Sequence, residues 1–203
     1  GSFSHYASSQ TVAFIDRPPS VAYIDLTDKS QISNGQARCV GVALCDEAGQ
    51  PCNSFRQGDW SVFYYEFELS DQIGVPICGL TITNDRGVIV HGKNSLQYLE
   101  DVRVSYGAGG RVICRQKIIL DIAPGEYTFQ VGLASISVDN WKNRERYSHD
   151  EQCGQIIRVC HVPRVGSFSV GLSLRHGSCV LRHHGIANLA GSLEITNIAP
   201  CSQ

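Results

Sequence analysis

The chain has 203 residues, of which 42% are hydrophobic and 18% charged, and its formal net charge at pH 7 is -2. This balance is typical of a globular domain with a sizeable core, and it excludes an intrinsically disordered chain. Because the sequence has no basic run, and no apolar run near the roughly 20 residues that cross a bilayer, it predicts neither a nucleic-acid partner nor direct membrane insertion.

The sequence contains nine cysteines and no Met, and it begins with Gly1-Ser2. This start is typical of a domain taken from a longer protein, which is what we expect here. No Cys-x-x-Cys pair is present, and Cys78 and Cys114 lie within apolar strand patterns, where a thiol acts as a small hydrophobic group. We therefore expect free thiols and a cytoplasmic compartment.

The first strands follow a weakly patterned lead-in, residues 1–31, which could supply an edge strand or a swapped strand. Val21–Leu26 could itself form a short strand. From Arg38 onward the period is two, which places Val42 and Leu44 on the face of Arg38 and the intervening residues on the other face.

The clearest alternation follows Trp60. One face, predicted to be the core, carries Phe63, Tyr65, Phe67 and Leu69, and the other carries Trp60, Val62, Tyr64, Glu66 and Glu68. In the next strand Cys78, Leu80 and Ile82 face inward, and Gly79, Thr81 and Thr83 face outward.

Further strands are predicted at Arg111–Asp121, Glu126–Ser137, Gln155–Val162 and Ser167–Leu174. In the second of these, the inward face carries Tyr127, Phe129, Val131 and Leu133, and the outward face carries Thr128, Gln130 and Gly132. With about eight strands and no convincing helix, the pattern predicts an all-β fold, an antiparallel β-sandwich over residues 32–175. Residues 95–104 could be a short helix or a loop. Residues 176–203 would be a tail, with an edge strand at Ser192–Ile198.

An ordered series of short motifs makes the interpretation more specific. Most of them are turn chemistry, which specifies fold more than ligand. They are Ile32–Arg38, Asp46–Pro51, Phe55–Asp59, Pro76–Gly79, Asp85–Gly87, Gly92–Ser95 and Leu120–Tyr127. Together they resemble the C-terminal domain of the ATPase subunit of O-antigen polysaccharide ABC exporters, the Wzt family, over about residues 32–162.

This resemblance implies an immunoglobulin-like sandwich, a homodimer, and a noncatalytic module without cofactor. Such a module binds the non-reducing end of a lipid-linked bacterial polysaccharide before export. It also implies a parent ATPase or transferase domain in the same chain, and a cytoplasmic location at the inner face of the inner membrane through that parent complex. The alternative is a structural dimerisation module fused to a polysaccharide-modifying glycosyltransferase or methyltransferase.

Sugars need an exposed aromatic ring and hydrogen-bonding neighbours. The outward face of the Trp60 strand offers Trp60, Tyr64 and Glu66. If the neighbouring strands lie in the same sheet, they extend this shelf with Thr81, Thr83, Thr128 and Gln130. The alternative is that the lead-in or a dimer partner covers this face, with Trp60 as its anchor.

The polar loop 139–154 is the second candidate, with Trp141, Arg144 and Tyr147 as its binding residues. The alternative is that Trp141 packs against the edge of the sandwich. We predict no catalytic residues and no metal site, because Cys160 and His161 point to opposite faces of a strand and no nucleophile motif occurs.

Overall fold

The computed structural model describes residues 16–98 and 107–193, and within these ranges the chain forms eleven strands and three short α-helices. The strands are β1 (Ile32–Ser33), β2 (Ala37–Asp46), β3 (Ser54–Arg56), β4 (Trp60–Leu69), β5 (Val75–Asn84), β6 (Ile89–Asn94), β7 (Arg111–Ile119), β8 (Gly125–Ile136), β9 (Ile157–Gly171), β10 (Ser173–Arg175) and β11 (Ser178–Val180). The helices are α1 (Ser95–Tyr98), α2 (Val138–Lys142) and α3 (His149–Gly154).

Two sheets face each other. The small sheet has the order β2-β4-β7, and the large sheet has the order β1-β9-β8-β5-β6, with β3 added to β9 as a parallel strand. All other pairs in both sheets are antiparallel. The predicted all-β antiparallel sandwich is therefore confirmed. The additional strands are mostly those of two or three residues, which are too short to show an alternating pattern.

The inner faces of the two sheets form one hydrophobic core, and the predicted faces of three strands are confirmed. Phe63, Tyr65, Phe67 and Leu69 of β4 are buried there. So are Leu80 and Ile82 of β5 and Tyr127, Phe129, Val131 and Leu133 of β8. Contact between the sheets is direct, since the ring centroids of Phe63 and Phe129 lie 5.0 Å apart.

The predicted faces of β2 are correct only in part. The pairing of β2 with β4 shifts register between Cys39 and Gly41, so Val40 is an extra residue. Such a bulge exchanges the two faces of a strand on one side of it. Cys39 therefore joins Val42 in the main core, and Arg38 points outward.

Two further predictions are wrong. The loop 139–154 contains α2 and α3, whose first turns are capped by Ser137 and by Ser148, the latter in a reciprocal capping box with Glu151. Gln155–Val162 and Ser167–Leu174 are largely one strand, β9, because Pro163–Val165 bulges out opposite Gln130 and the pairing resumes at Gly166.

Near both of its ends the described chain contacts the sandwich, through bridges from Tyr23 to Ala43 and from Ala187 to Ile122. In place of the predicted strand Val21–Leu26, Ser20–Ala22 forms a 3-10 turn and Tyr23 bridges to Ala43. The predicted edge strand Ser192–Ile198 lies almost wholly outside the described residues. Each of the helices in the described residues is far too short to cross a bilayer.

Candidate functional site

The outer face of the small sheet does not form the predicted shelf. Tyr64 and Glu66 point outward as expected, but they are only 1% and 4% exposed. The lead-in covers them, since Ala22 packs in one apolar cluster with Tyr64 and the Tyr23 ring meets the Tyr64 ring edge-on at 5.7 Å. The alternative of a covered face is therefore correct for this part of the sheet.

Glu66 is the centre of a polar network under this cover. It forms ion pairs with Arg17 and Arg111, and the Tyr64 hydroxyl donates a hydrogen bond to Glu66 Oε2 at 2.9 Å. Burial and this hydrogen bond to a carboxylate raise the pKa of Tyr64 well above its usual range. A carboxylate with so many internal contacts is engaged in holding the lead-in in place.

Trp60 lies beyond this cover, 39% exposed at the end of β4. The ammonium of Lys117 lies 4.6 Å from the centroid of its ring and also pairs with Glu47. Trp60 belongs to the small sheet, whereas Thr81, Thr83 and Gln130 belong to the large sheet. The two predicted sets lie on opposite outer surfaces and cannot act together.

The aromatic residue of the second candidate is buried. Trp141 is 9% exposed and packs with Val75, Ile77 and Ile136 at the end of the large sheet. Arg144 lies over its ring, 4.4 Å from the centroid, and donates a hydrogen bond to the Trp141 carbonyl. These contacts fix α2 and the turn that follows it, as the alternative expected.

A groove lies instead on the outer face of the large sheet, with a volume of about 530 Å³. One row of opposed residues crosses four strands beneath it: Asn94, Gly79, Gly132 and His161. The two glycines leave the middle of this row without side chains, so the backbone forms the floor. We call this site the groove.

A second row contains two of the predicted residues. Thr81 of β5 lies opposite Gln130 of β8 on one side and opposite Gly92 of β6 on the other. Both Thr81 and Gln130 line the groove, and neither side chain forms a hydrogen bond with any other described residue. Thr83 lies one row further on, opposite Thr128, outside the groove.

The walls come from both ends of the sheet. On one side Asn94 and Gln97 are fixed by backbone contacts, since Gln97 Oε1 accepts from the Asn94 amide and Asn94 Oδ1 accepts from the Leu96 amide. On the other side lie Ile156 and Arg158, together with Cys153, which belongs to α3. The groove thus combines apolar contact, amides and a guanidinium.

The charge at the His161 end is positive. Partial burial lowers the pKa of His161, and the nearby Arg158 lowers it further. Neutral imidazole is the metal-binding form, yet no three His, Cys, Asp or Glu side chains of the described residues cluster as a metal site would require. What the groove offers is hydrogen bonding and charge.

The sequence alone had identified Thr81 and Gln130 but missed the rest of the groove. Gly79 and Gly132 were assigned to outward faces, and an outward glycine within a strand can mark close approach of a ligand to the backbone. Arg158 and His161 left no comparable signal, because it is the extra residue Val159 in β9 that places Arg158 on the same face as His161.

Comparison with known proteins identifies the fold and the family. The model of the Wzt C-terminal domain family matches residues 28–152, and no curated protein matches. The crystal structure of the C-terminal domain of Wzt is 13% identical, with a TM-score of 0.61, over 85% of this chain and 93% of that one.

A second solved structure, Northeast Structural Genomics Consortium target SoR45, is 11% identical over 75% of this chain and 99% of that one. Its TM-score of 0.38 supports no conclusion. The family match covers more than half of the chain, and the fold agrees with the family's solved structure. The chain belongs to the Wzt C-terminal domain family.

Proposed function

We propose that this domain binds carbohydrate in the groove without altering it chemically. The observation that carries the proposal is a set of polar side chains, Thr81, Gln130 and Arg158, that have no partner among the described residues and lie around a floor formed by Gly79 and Gly132. Polar groups held without internal partners on a rigid sheet are available to a polar ligand.

The chemistry of the groove suits a sugar. A sugar ring presents an apolar C–H face and a rim of hydroxyls, each of which donates and accepts hydrogen bonds. Ala134 and Ile156 offer apolar contact, while the Gln130 amide and the Thr81 hydroxyl can each donate and accept. The volume of about 530 Å³ falls within the roughly 300–1,000 Å³ of ordinary ligand sites.

Family membership supports the finer proposal that the ligand is the end of a lipid-linked bacterial surface polysaccharide destined for ABC-transporter export. The domain would then act as a homodimer joined to its parent ATPase or transferase domain, at the cytoplasmic face of the inner membrane. Affinities of millimolar to micromolar, about -4 to -8 kcal/mol, would suffice, because the parent complex holds the polysaccharide at a high local concentration.

A polysaccharide array tests this function. The array is probed with the wild-type domain, with the double variant Thr81→Ala/Gln130→Ala, and with Trp60→Ala as a control on the opposite sheet. We expect the double variant to lose about 10- to 30-fold in affinity, which corresponds to the net free energy of about two hydrogen bonds. The control should bind like the wild type.

Two results would contradict the proposal. If the wild-type domain binds no polysaccharide on the array, the domain is better described as a structural dimerisation module fused to an enzyme. If Trp60→Ala abolishes binding while the double variant keeps it, the domain binds glycan on the small sheet and the groove is not the site.

A further inference from the structure

Within the proposed carbohydrate-binding function, on which this inference rests, we infer that the groove selects glycans carrying an anionic group, a carboxylate or a phosphate. Arg158 and His161 would bind that group. Both residues lie beyond the segment 28–152 that matches the family, so the family match says nothing about them.

A bulge in β9 brings the two residues to one face. Residues three apart in a regular strand point to opposite faces. The pairing of β8 with β9 shifts register at Val159, so Arg158 lies opposite Ala134. His161 lies opposite Gly132, on the same outer face of the large sheet. Bulges often redirect side chains beside functional sites, and this one creates a guanidinium–imidazole pair.

Arg158 is free to bind a ligand. It is exposed, and among the described residues its guanidinium has neither a hydrogen bond nor an ion pair. Its five N–H donors are arranged to hold a carboxylate or phosphate through two parallel hydrogen bonds.

The surroundings also favour an anion. None of the described residues that line the groove is Asp or Glu, so no carboxylate of the lining competes for Arg158. The carboxylate of Glu151 on the adjacent α3 is already engaged, because it accepts hydrogen bonds from the Ser148 amide and hydroxyl, both at 2.8 Å. Burial is the main cause that lowers the pKa of His161, and the positive charge of the neighbouring Arg158 lowers it further.

The geometry also places the anion relative to the sugar. Gly132 separates His161 from Gly79 in the same row, so an anion held by Arg158 and His161 would leave the attached ring over the glycine floor. Thr81 and Gln130, one row away, could then contact the hydroxyls of that ring. Arg158 and His161 would select the ligand, and the glycine floor would accommodate its ring.

Matched polysaccharides test the inference. Each acidic polysaccharide of the array is paired with a neutral form of the same backbone, obtained by reducing carboxylates to alcohols or by removing phosphates. The two treatments distinguish the two kinds of anion. Binding is measured for the wild type, for Arg158→Gln and His161→Gln, and for Arg115→Gln. Arg115 is an exposed arginine without hydrogen bonds to described residues, on the outer face of the small sheet, and serves as the matched control.

We expect the wild type to prefer the acidic form by about tenfold or more, the value of one charge-assisted hydrogen bond. Arg158→Gln should abolish most of this preference, His161→Gln should reduce it, and Arg115→Gln should leave it unchanged. The preference should also weaken as NaCl rises from about 0.02 M to about 0.5 M, because salt screens partly exposed charges.

Each contrary result has a distinct meaning. Equal binding of acidic and neutral forms by the wild type would overturn the selection of anions and leave the proposed function standing. An equal loss of both forms in Arg158→Gln would assign Arg158 a structural role and also overturn it. Failure to bind every polysaccharide would overturn both the inference and the proposed function.

Discussion

Gly132 of β8 lies directly opposite Gly79 of β5 at the centre of the groove floor, yet the two positions differ in the space around them. A Cβ atom at Gly132 would have the Cys160 carbonyl oxygen, at 3.7 Å, as its one neighbour within 4 Å, which is an ordinary contact. At Gly79 it would come within 3.1 Å of the Asn94 Cβ, which is crowded. Gly132 is therefore the position at which the groove can be filled without disturbing the sheet.

The first prediction uses this difference. Gly132→Val should keep or raise the free energy of unfolding, by up to about 1 kcal/mol, because glycine loses more entropy on folding and valine favours strands. It should weaken polysaccharide binding at least about tenfold, since the side chain would occupy the floor of the site. Thr128→Val, on the same strand and face but outside the groove, is the control. Unchanged binding by a folded Gly132→Val would exclude the groove as the site.

The sequence predicted the faces of the core strands well, because β4, β5 and β8 alternate without interruption. It could not assign strands to sheets. Trp60 and Thr81 both point outward, but whether they share a surface depends on pairings between distant segments, and the structure places them on opposite sheets. Bulges were equally invisible. The extra residue Val40 exchanges the faces of β2, and the extra residue Val159 brings Arg158 beside the groove.

A second prediction concerns the C-terminal segment. Gly58 has a φ of +89°, and a Cβ atom there would lie only 1.6 Å from Nη1 of Arg182. Gly58→Ala should therefore cost about 1 kcal/mol for the backbone conformation and up to about 1 kcal/mol more for displacing the flexible guanidinium, which contacts Asp121 and the Gln57 carbonyl. Urea unfolding measures the sum.

Gly49→Ala separates the two contributions. Gly49 also has a positive φ, +80°, but a Cβ there would meet nothing within 4 Å. It should show the backbone cost alone. When Gly58→Ala is combined with Arg182→Ala, the loss of stability caused by the change at Gly58 should fall toward the loss caused by Gly49→Ala. Equal losses in Gly58→Ala and Gly49→Ala would mean that Arg182 does not pack on Gly58 in solution.

The third prediction concerns the lead-in. Glu66→Gln should lower the free energy of unfolding by about 1–3 kcal/mol, because it removes the charge that holds Arg17 and Arg111 at a nearly buried position. Glu68→Gln, whose side chain is 32% exposed, should cost less. Limited proteolysis near Arg17 should become faster in Glu66→Gln alone. Equal stability of the two variants would contradict the structural role of Glu66.

The fourth prediction is a pH dependence of stability. Burial, and then Lys93, lower the pKa of His91 below its ordinary 6.5. Its Nε2 is buried without a partner among the described residues. Unfolding therefore takes up a proton once the pH falls through about 6.5, and stability should drop by up to about 1.4 kcal/mol per pH unit for each such histidine.

His91→Gln tests that dependence against His184→Gln, a change at an exposed histidine. Urea unfolding of each variant at several pH values between about 7.5 and 5.5 gives the slopes. The slope should decrease in His91→Gln and persist in His184→Gln, with a remainder from His161, whose pKa is also lowered. A slope unaffected by His91→Gln would mean that His91 does not stay neutral in the folded protein.

The fifth prediction concerns the thiols. The eight cysteines among the described residues are all free, but only Cys153 and Cys179 are exposed. Burial raises the pKa of Cys39 to about 12, and it also raises the pKa of Cys114 well above its usual value. Since the thiolate is the reactive form, an alkylating reagent should label Cys153 and Cys179 rapidly and should reach Cys39 and Cys114 only after unfolding. Rapid labelling of Cys39 in the folded protein would contradict this order.

The same reaction can report on the groove without any substitution. Cys153 lines it, whereas Cys179 lies on the hairpin of β10 and β11 and does not. A bound polysaccharide should therefore slow the labelling of Cys153 and leave Cys179 unaffected, as peptide mass spectrometry would show. Equal slowing at both thiols would indicate a general effect on the reagent. An unchanged rate at Cys153 while the polysaccharide is bound would mean that the ligand lies elsewhere, because a glycan seated over Gly132 would obstruct the wall that Cys153 forms.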